Sequence, residues 1–93
     1  MTPPADIPAL LRAAARVAGR VGDLTWRPDL DDDQAIALSN DIGSVISLDL
    51  IANRVIVTHP ASGKSASEST FRDRPGALRL AILRLAASLA PLN

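Results

Sequence analysis

The sequence contains no cysteine and no tyrosine, and its aromatic residues of the Phe, Trp and Tyr types are limited to Trp26 and Phe71. Without cysteine the chain has no disulfide, no thiolate metal site and no thiol nucleophile. The core therefore has to be built from leucine, isoleucine, valine and alanine. A cysteine-free chain suits a cytoplasmic protein, and we expect that location.

Long apolar runs are also missing. The most apolar stretch, residues 76–92, is interrupted by Arg79 and Arg84 and is shorter than the ~20 residues that a membrane span needs. The start, MTPPADIPALL, lacks the basic region of a secretory signal. We expect one domain over residues 1–93, with residues 1–5 as a disordered tail and no contact with a membrane.

The charges cancel overall but are unevenly placed. Residues 1–22 carry a net charge of +2, residues 23–53 carry −6 and residues 54–93 carry +4. The acidic middle and the basic ends can neutralise one another on the folded surface. An overall neutral chain also argues against binding to a nucleic-acid duplex, which depends on many phosphate contacts.

Helical spacing of apolar residues predicts one helix near each end of the chain. The first runs from Asp6, a candidate N-cap, to about Val21, with Gly22 as its stop. Its basic residues recur four apart on the face opposite the apolar one: Arg12, Arg16 and Arg20.

The last helix starts at Asp73, another candidate N-cap, and ends before Pro91. One apolar stripe is made by Leu78, Ile82, Leu85 and Leu89, and a second by Leu80, Leu83 and Ala87. A helix that is apolar nearly all round needs two partners. The first stripe is expected to cover a sheet, and the second to contact the first helix or a second copy of the protein.

Between the helices the sequence predicts antiparallel strands. Leu24–Arg27 is a candidate short strand, the acidic stretch after Pro28 a loop, and Ile36 and Leu38 alternate as in a further strand. A hairpin follows, with Ala52-Asn53 as a two-residue turn, so that Leu48 faces Val57. A one-residue slip would scramble the apolar face, which includes Ile46, Leu48, Leu50, Val55 and Val57.

The stretch HPASGKS, residues 59–65, resembles the end of a phosphate-binding loop. That loop requires a glycine at position 58, where this chain has Thr58, and a helix that begins at the lysine. Pro60 and Gly63 instead favour a hairpin turn. Lys64 to Phe71 then forms a polar edge strand.

The sequence thus predicts an α+β domain in the order α-β-β-β-α, in which three or four antiparallel strands carry both helices on one face.

Few residues suggest chemistry. Asp29, Asp31 and Asp33 have the spacing that opens a calcium loop, but Gln34 and Asn40 occupy positions that require Gly and Glu. His59 is the only histidine, and no Ser-containing nucleophile elbow or nucleophile–base pair is evident. We expect no enzyme activity, no cofactor and no metal.

Two clusters are candidates for binding. The acidic group Asp29, Asp31, Asp32 and Asp33 concentrates charge in a short stretch. Arg72 and Arg74 lie where the dipole of the last helix favours anions, and they could meet phosphate or a partner's carboxylates; pairing with Asp73 or with the acidic stretch is the alternative.

The segment from Val45 to Ala90 resembles small phage proteins grouped as ABA-sandwich domains. The resemblance is carried by the antiparallel meander, the polar strand and the spacing of Ala77, Leu78, Ala81, Ile82 and Leu85 on the closing helix. The chain lacks the aromatic residues usual in that meander.

The helix–strands–helix order is also similar to double-stranded-RNA-binding domains. Their lysine run at the last helix is missing here, and only Arg72 and Arg74 could replace it.

The first resemblance implies a non-enzymatic protein-binding module of phage or mobile-element type. Such proteins include anti-CRISPR inhibitors of host defence complexes, which act by occluding the surface of a nucleic-acid-handling partner. The second implies nucleic-acid binding through Arg72, Arg74 and the arginines of the first helix. A homodimer through the last helix is a further expectation.

Overall fold

The computed structural model describes residues 6–91, so the predicted tail at residues 1–5 lies outside the described residues. The secondary-structure elements follow one another as three helices and three strands in the order α-α-β-β-β-α. The α+β class and the antiparallel meander are confirmed, whereas the predicted order lacks one helix. The elements are α1 (Ile7–Ala18), α2 (Asp32–Ile42), β1 (Val45–Asp49), β2 (Arg54–His59), β3 (Lys64–Ser69) and α3 (Arg74–Ser88).

The ends of α1 show why it forms where it does. The Asp6 carboxylate accepts a hydrogen bond from the backbone N–H of Ala9, which confirms the predicted N-cap. The helix ends earlier than predicted, because Gly19 and not Gly22 adopts the left-handed conformation at its C-terminus, with φ of 70°. Gly22 has positive φ as well, but in the turn that follows.

Helix α2 is the main correction. The acidic stretch is not a plain loop, since Asp31 accepts a hydrogen bond from the N–H of Gln34 and caps a helix that begins at Asp32. The predicted strand around Ile36 and Leu38 is wrong, because Ala35, Leu38 and Ser39 form the buried side of this helix. The helix ends at Gly43, whose φ is 75°.

The sheet has the order β1-β2-β3, with antiparallel neighbours. Leu48 pairs with Val55, and not with Val57 as predicted. The true register differs by two residues, which leaves the side chains of β1 and β2 on their predicted faces because sheet faces alternate with a period of two. Leu50, predicted on the apolar face, lies in the turn outside the sheet. The turn is longer than predicted because the Asp49 carboxylate accepts hydrogen bonds from the N–H groups of Ile51 and Ala52.

Helix α3 lies at the centre of the molecule. It packs on β2 and β3 with one side, and on α1 and α2 with the other. Leu83, from the second apolar stripe, is fully buried in the same cluster as Ala14 of α1 and Leu38 of α2. The first helix therefore contacts the second apolar stripe of α3, which was one of the two predicted alternatives. It packs on α3, whereas we expected it to pack on the sheet.

The HPASGKS stretch is a hairpin turn, as predicted. Strand β2 ends at His59, Gly63 has φ of 75°, and β3 begins at Lys64. The Lys64 ammonium donates to the carbonyl oxygen of Ser88 at 2.7 Å. This lysine thus binds the C-terminal end of α3, where the helix dipole favours a cation.

Inside residues 6–91, none of the helices combines the length and the apolar character that crossing a lipid bilayer would require.

Candidate functional site

A broad concavity lies between α1 and the segment that follows it. It is an open groove of about 830 Å³. Its apolar lining comes from α1 on one side and from the 20–27 segment on the other: Ile7, Leu11, Ala15, Val21, Leu24 and Trp26. Leu24 and Val21 are 93% and 73% exposed, so the groove has an apolar rim as well as an apolar floor.

The 20–27 segment is a series of turns and not the strand predicted at Leu24–Arg27. Asp23 organises its first half by accepting hydrogen bonds from the N–H and the hydroxyl of Thr25. These bonds, with the nearby Arg20, lower the pKa of Asp23. Gln34 of α2 holds the second half, since its amide accepts from the N–H of Arg27 and donates to the carbonyl of Thr25.

Four arginines and one aspartate line the groove: Arg12, Arg16, Arg20, Arg27 and Asp23. Arg20 lies 3.7 Å from the Asp23 carboxylate, and Arg27 binds Asp29. Arg12 and Arg16 are exposed, and neither forms an ion pair with a residue of the 6–91 region. The row of arginines predicted on one face of α1 therefore forms one edge of an apolar groove.

The predicted acidic site is used largely within the molecule. Asp29 receives two hydrogen bonds from the Arg27 guanidinium, at 2.9 and 2.7 Å, and its side chain is only 9% exposed. This pairing lowers the pKa of Asp29 and raises that of Arg27. Asp31 caps α2 and Asp32 binds Arg79. Asp33 lies exposed in the first turn of α2.

Arg72 and Arg74 are exposed at the beginning of α3. Arg72 and Asp29 line a second concavity of about 530 Å³. The cation that reaches the acidic stretch is Arg79, which donates to the Asp29 carbonyl at 3.0 Å and to the Asp32 carboxylate at 2.5 Å. The structure thus places Asp29 of the acidic group in the same concavity as Arg72, while the hydrogen bonds to Asp29 and Asp32 from α3 come from Arg79.

His59 is hydrogen bonded through Nδ1 to the Ser62 hydroxyl at 2.7 Å, within the hairpin turn. It lines none of the three concavities found around the helices. In the part of the chain that the structure describes, no three histidine or acidic side chains are grouped so that they could hold a metal ion. Absence of enzyme activity remains a prediction.

Sequence reasoning missed the groove. The arginine spacing on α1 was visible, but the apolar residues facing it come from a segment that looks like a polar turn with a short strand. The available signal was the pair of aliphatic residues Val21 and Leu24, close to Trp26 and flanked by glycine and aspartate, which we assigned to the end of the first helix and to a short strand. Their common location depends on hydrogen bonds from Gln34 that no local pattern encodes.

Comparison with protein-family models, with curated proteins and with solved structures finds no match to this chain. The resemblances to phage ABA-sandwich proteins and to double-stranded-RNA-binding domains therefore remain predictions.

Proposed function

We propose that the protein is a non-enzymatic protein-binding module, and that its groove between α1 and the 20–27 segment receives an acidic, amphipathic segment of a protein partner. The observation that carries the proposal is that this groove combines an apolar lining with two exposed arginines, Arg12 and Arg16, which form no ion pair within residues 6–91. Origin in a phage and inhibition of a host defence complex remain predictions drawn from the resemblance alone.

The apolar part of the groove supplies affinity. Leu24 and Val21 are large aliphatic residues that solvent reaches almost freely. Trp26 is half-buried beside them and packs against the core, so it offers a wide and rigid surface. Aromatic anchors of this kind dominate the binding energy of protein interfaces, and burial of the surrounding aliphatic area adds to it.

The arginines supply orientation and selectivity. Arg12 and Arg16 follow each other four residues apart on α1, so they lie on one side of the helix. Carboxylates spaced along a partner helix would meet both guanidinium groups while its apolar face covers the groove. Such charges at the rim of an interface act mainly through the association rate and partner choice, and reversing their sign adds repulsion that lowers affinity as well.

Nucleic acid fits this surface less well. Affinity for nucleic acid rests on many phosphate contacts, whereas two of the four arginines in the groove are paired with aspartates and the whole chain is neutral. Exposed aliphatic residues such as Leu24 would gain little from a phosphate backbone. The geometry therefore favours a protein partner over the predicted alternative.

The test needs no knowledge of the natural partner. The protein is immobilised and an unbiased display library of short peptides is selected for binding to it. We expect the enriched peptides to combine aliphatic or aromatic residues with Asp or Glu at helical spacing. Their affinity should fall by about tenfold or more when Arg12→Glu and Arg16→Glu are introduced together.

The matched control is the pair Arg72→Glu and Arg74→Glu, which makes the same change of charge at the beginning of α3. We expect this variant to bind the peptides as the wild type does. Loss of binding in the control alone would move the site to α3. Enrichment of basic peptides, or a salt-sensitive shift of labelled RNA or DNA at ~50 mM salt that Arg12→Glu and Arg16→Glu abolish, would overturn the proposal.

A further inference from the structure

The two edges of the sheet differ sharply in chemistry. Edge strand β3 has the sequence KSASES and points Lys64 and Glu68 toward the helices. Inward-pointing charges are a known means of preventing edge-to-edge pairing. The other edge strand, β1, has the sequence VISLD and points Ile46 and Leu48 to the same side.

Strand β1 is also uncovered. Helix α3 lies over β2 and β3, and all five residues of β1 are exposed. Ile46 and Leu48 remain 39% and 44% exposed on the side that faces the helices. Within residues 6–91, β2 is the only strand that pairs with β1, so the outer edge of β1 keeps free backbone N–H and C=O groups.

We infer that β1 pairs with β1 of a second copy of this chain, antiparallel and about a two-fold axis at Ser47, to give a continuous six-stranded sheet. In this register Ser47 faces its own counterpart. Ile46 faces Leu48 of the other copy, and Val45 faces Asp49. Pairing partners share a face of the sheet, so the aliphatic residues of both copies meet on the helix side.

The strand is complementary to itself in charge. Asp49 is the only charged residue of β1, and this register places it opposite Val45, away from the second Asp49. Its carboxylate is already engaged by the N–H groups of Ile51 and Ala52. A two-fold interface uses the same patch on both copies, and β1 satisfies that requirement without opposing like charges.

The interface is small. A five-residue strand is about 17 Å long, and strand pairing alone covers less than the ~1,600 Å² of a standard interface. We therefore expect reversible association that becomes evident only at high micromolar concentration. This inference is independent of the proposed function, since no residue of β1 lines the groove.

The absence of native cysteine makes the test direct. Ser47→Cys places one thiol at the proposed axis, and Ser65→Cys places one on the outer face of β3 as the matched control. With a short thiol-specific bifunctional reagent, Ser47→Cys should yield a covalent dimer whose formation increases with protein concentration. Ser65→Cys should yield little.

Sedimentation velocity provides the second arm, with the wild type and Ser47→Lys compared between about 20 µM and 1 mM. The wild type should shift toward the dimer, and Ser47→Lys should stay monomeric because it opposes two lysines at the axis. Circular dichroism verifies that the variant is folded. A wild type that is monomeric throughout, equal cross-linking of both cysteine variants, or dimerisation that survives Ser47→Lys would overturn the inference.

Discussion

Replacement of Leu83 by alanine tests whether α3 is buried between the sheet and the other two helices. Leu83 has no exposed surface and contacts the cluster that includes residues of α1 and α2. Truncating a fully buried leucine costs about 3 to 5 kcal/mol, because transfer and cavity terms add. A domain of this length has a free energy of unfolding of roughly 5 to 14 kcal/mol, so Leu83→Ala should remove about a fifth of it or more.

The assay is urea denaturation followed by circular dichroism and by the fluorescence of Trp26. With a slope of about 1.5 kcal/mol per molar urea, the midpoint should fall by about 2 M or more. The control is Ile51→Ala, whose side chain is 96% exposed and whose loss should change stability by no more than about 0.5 kcal/mol. Equal effects of the two substitutions would place the second stripe of α3 at the surface and refute the layered arrangement.

Three further predictions concern the ordered segment around α2. Gln34→Ala removes the hydrogen bonds to Arg27 and Thr25 and should cost about 1 to 2 kcal/mol, with faster amide exchange at Arg27. Gly43→Ala should cost about 1 to 2 kcal/mol in thermal or urea unfolding, because alanine is strained at a φ of 75°. Asp29→Asn should destabilise the protein at pH 7, and the difference from wild type should shrink in urea unfolding as the pH falls below about 4.

The sign of the last effect follows from the lowered pKa of Asp29 in the folded state. Its carboxylate stabilises the fold above the pKa of the unfolded chain, and this stabilisation is lost as pH falls through the folded pKa. Asp33→Asn is the charge-matched control and should have a smaller effect at pH 7. Gln34→Glu and Gly43→Asn should be milder than the alanine variants, since each keeps part of the native contact or conformation. If a control variant lowers the free energy of unfolding as much as its test variant does, the contact inferred for that residue is wrong.

The elements that local chemistry determines could be predicted from the sequence. Asp6 and Asp73 cap α1 and α3 through hydrogen bonds to residues three positions later. The alternation around Val55 and Val57 gave the buried face of the sheet. It could not give the register, because a shift of two residues preserves the face and the turn length depends on the Asp49 carboxylate.

Helix α2 is not predicted, because the alternation of Ile36 and Leu38 favours a strand, while the better signal lies in the residues just before them. Asp31 followed by Gln34 three residues later is typical of a helix start. Buried positions at Ala35, Leu38 and Ser39 then have helical spacing, and Gly43 marks the end. Asp31 caps this helix and Asp32 binds Arg79, and the role of both in partner binding stays a prediction.

The groove could not be predicted from the sequence, because it depends on contacts between distant parts of the chain. Gln34 positions the 20–27 segment from another helix, and Arg79 ties the start of that helix to α3 across 47 positions. Side chains such as Leu24 acquire a role only when these contacts place them opposite α1.

Trp26 allows the central claim to be measured directly, since it is the only tryptophan and lines the groove. A peptide from the display selection is titrated into the protein while tryptophan emission is recorded, first near 0.05 M salt and then near 1 M, where charges are screened within about 3 Å. We predict a saturable blue shift at low salt and weaker binding at high salt. Binding that calorimetry detects but that leaves Trp26 emission unchanged would place the partner elsewhere and contradict the account.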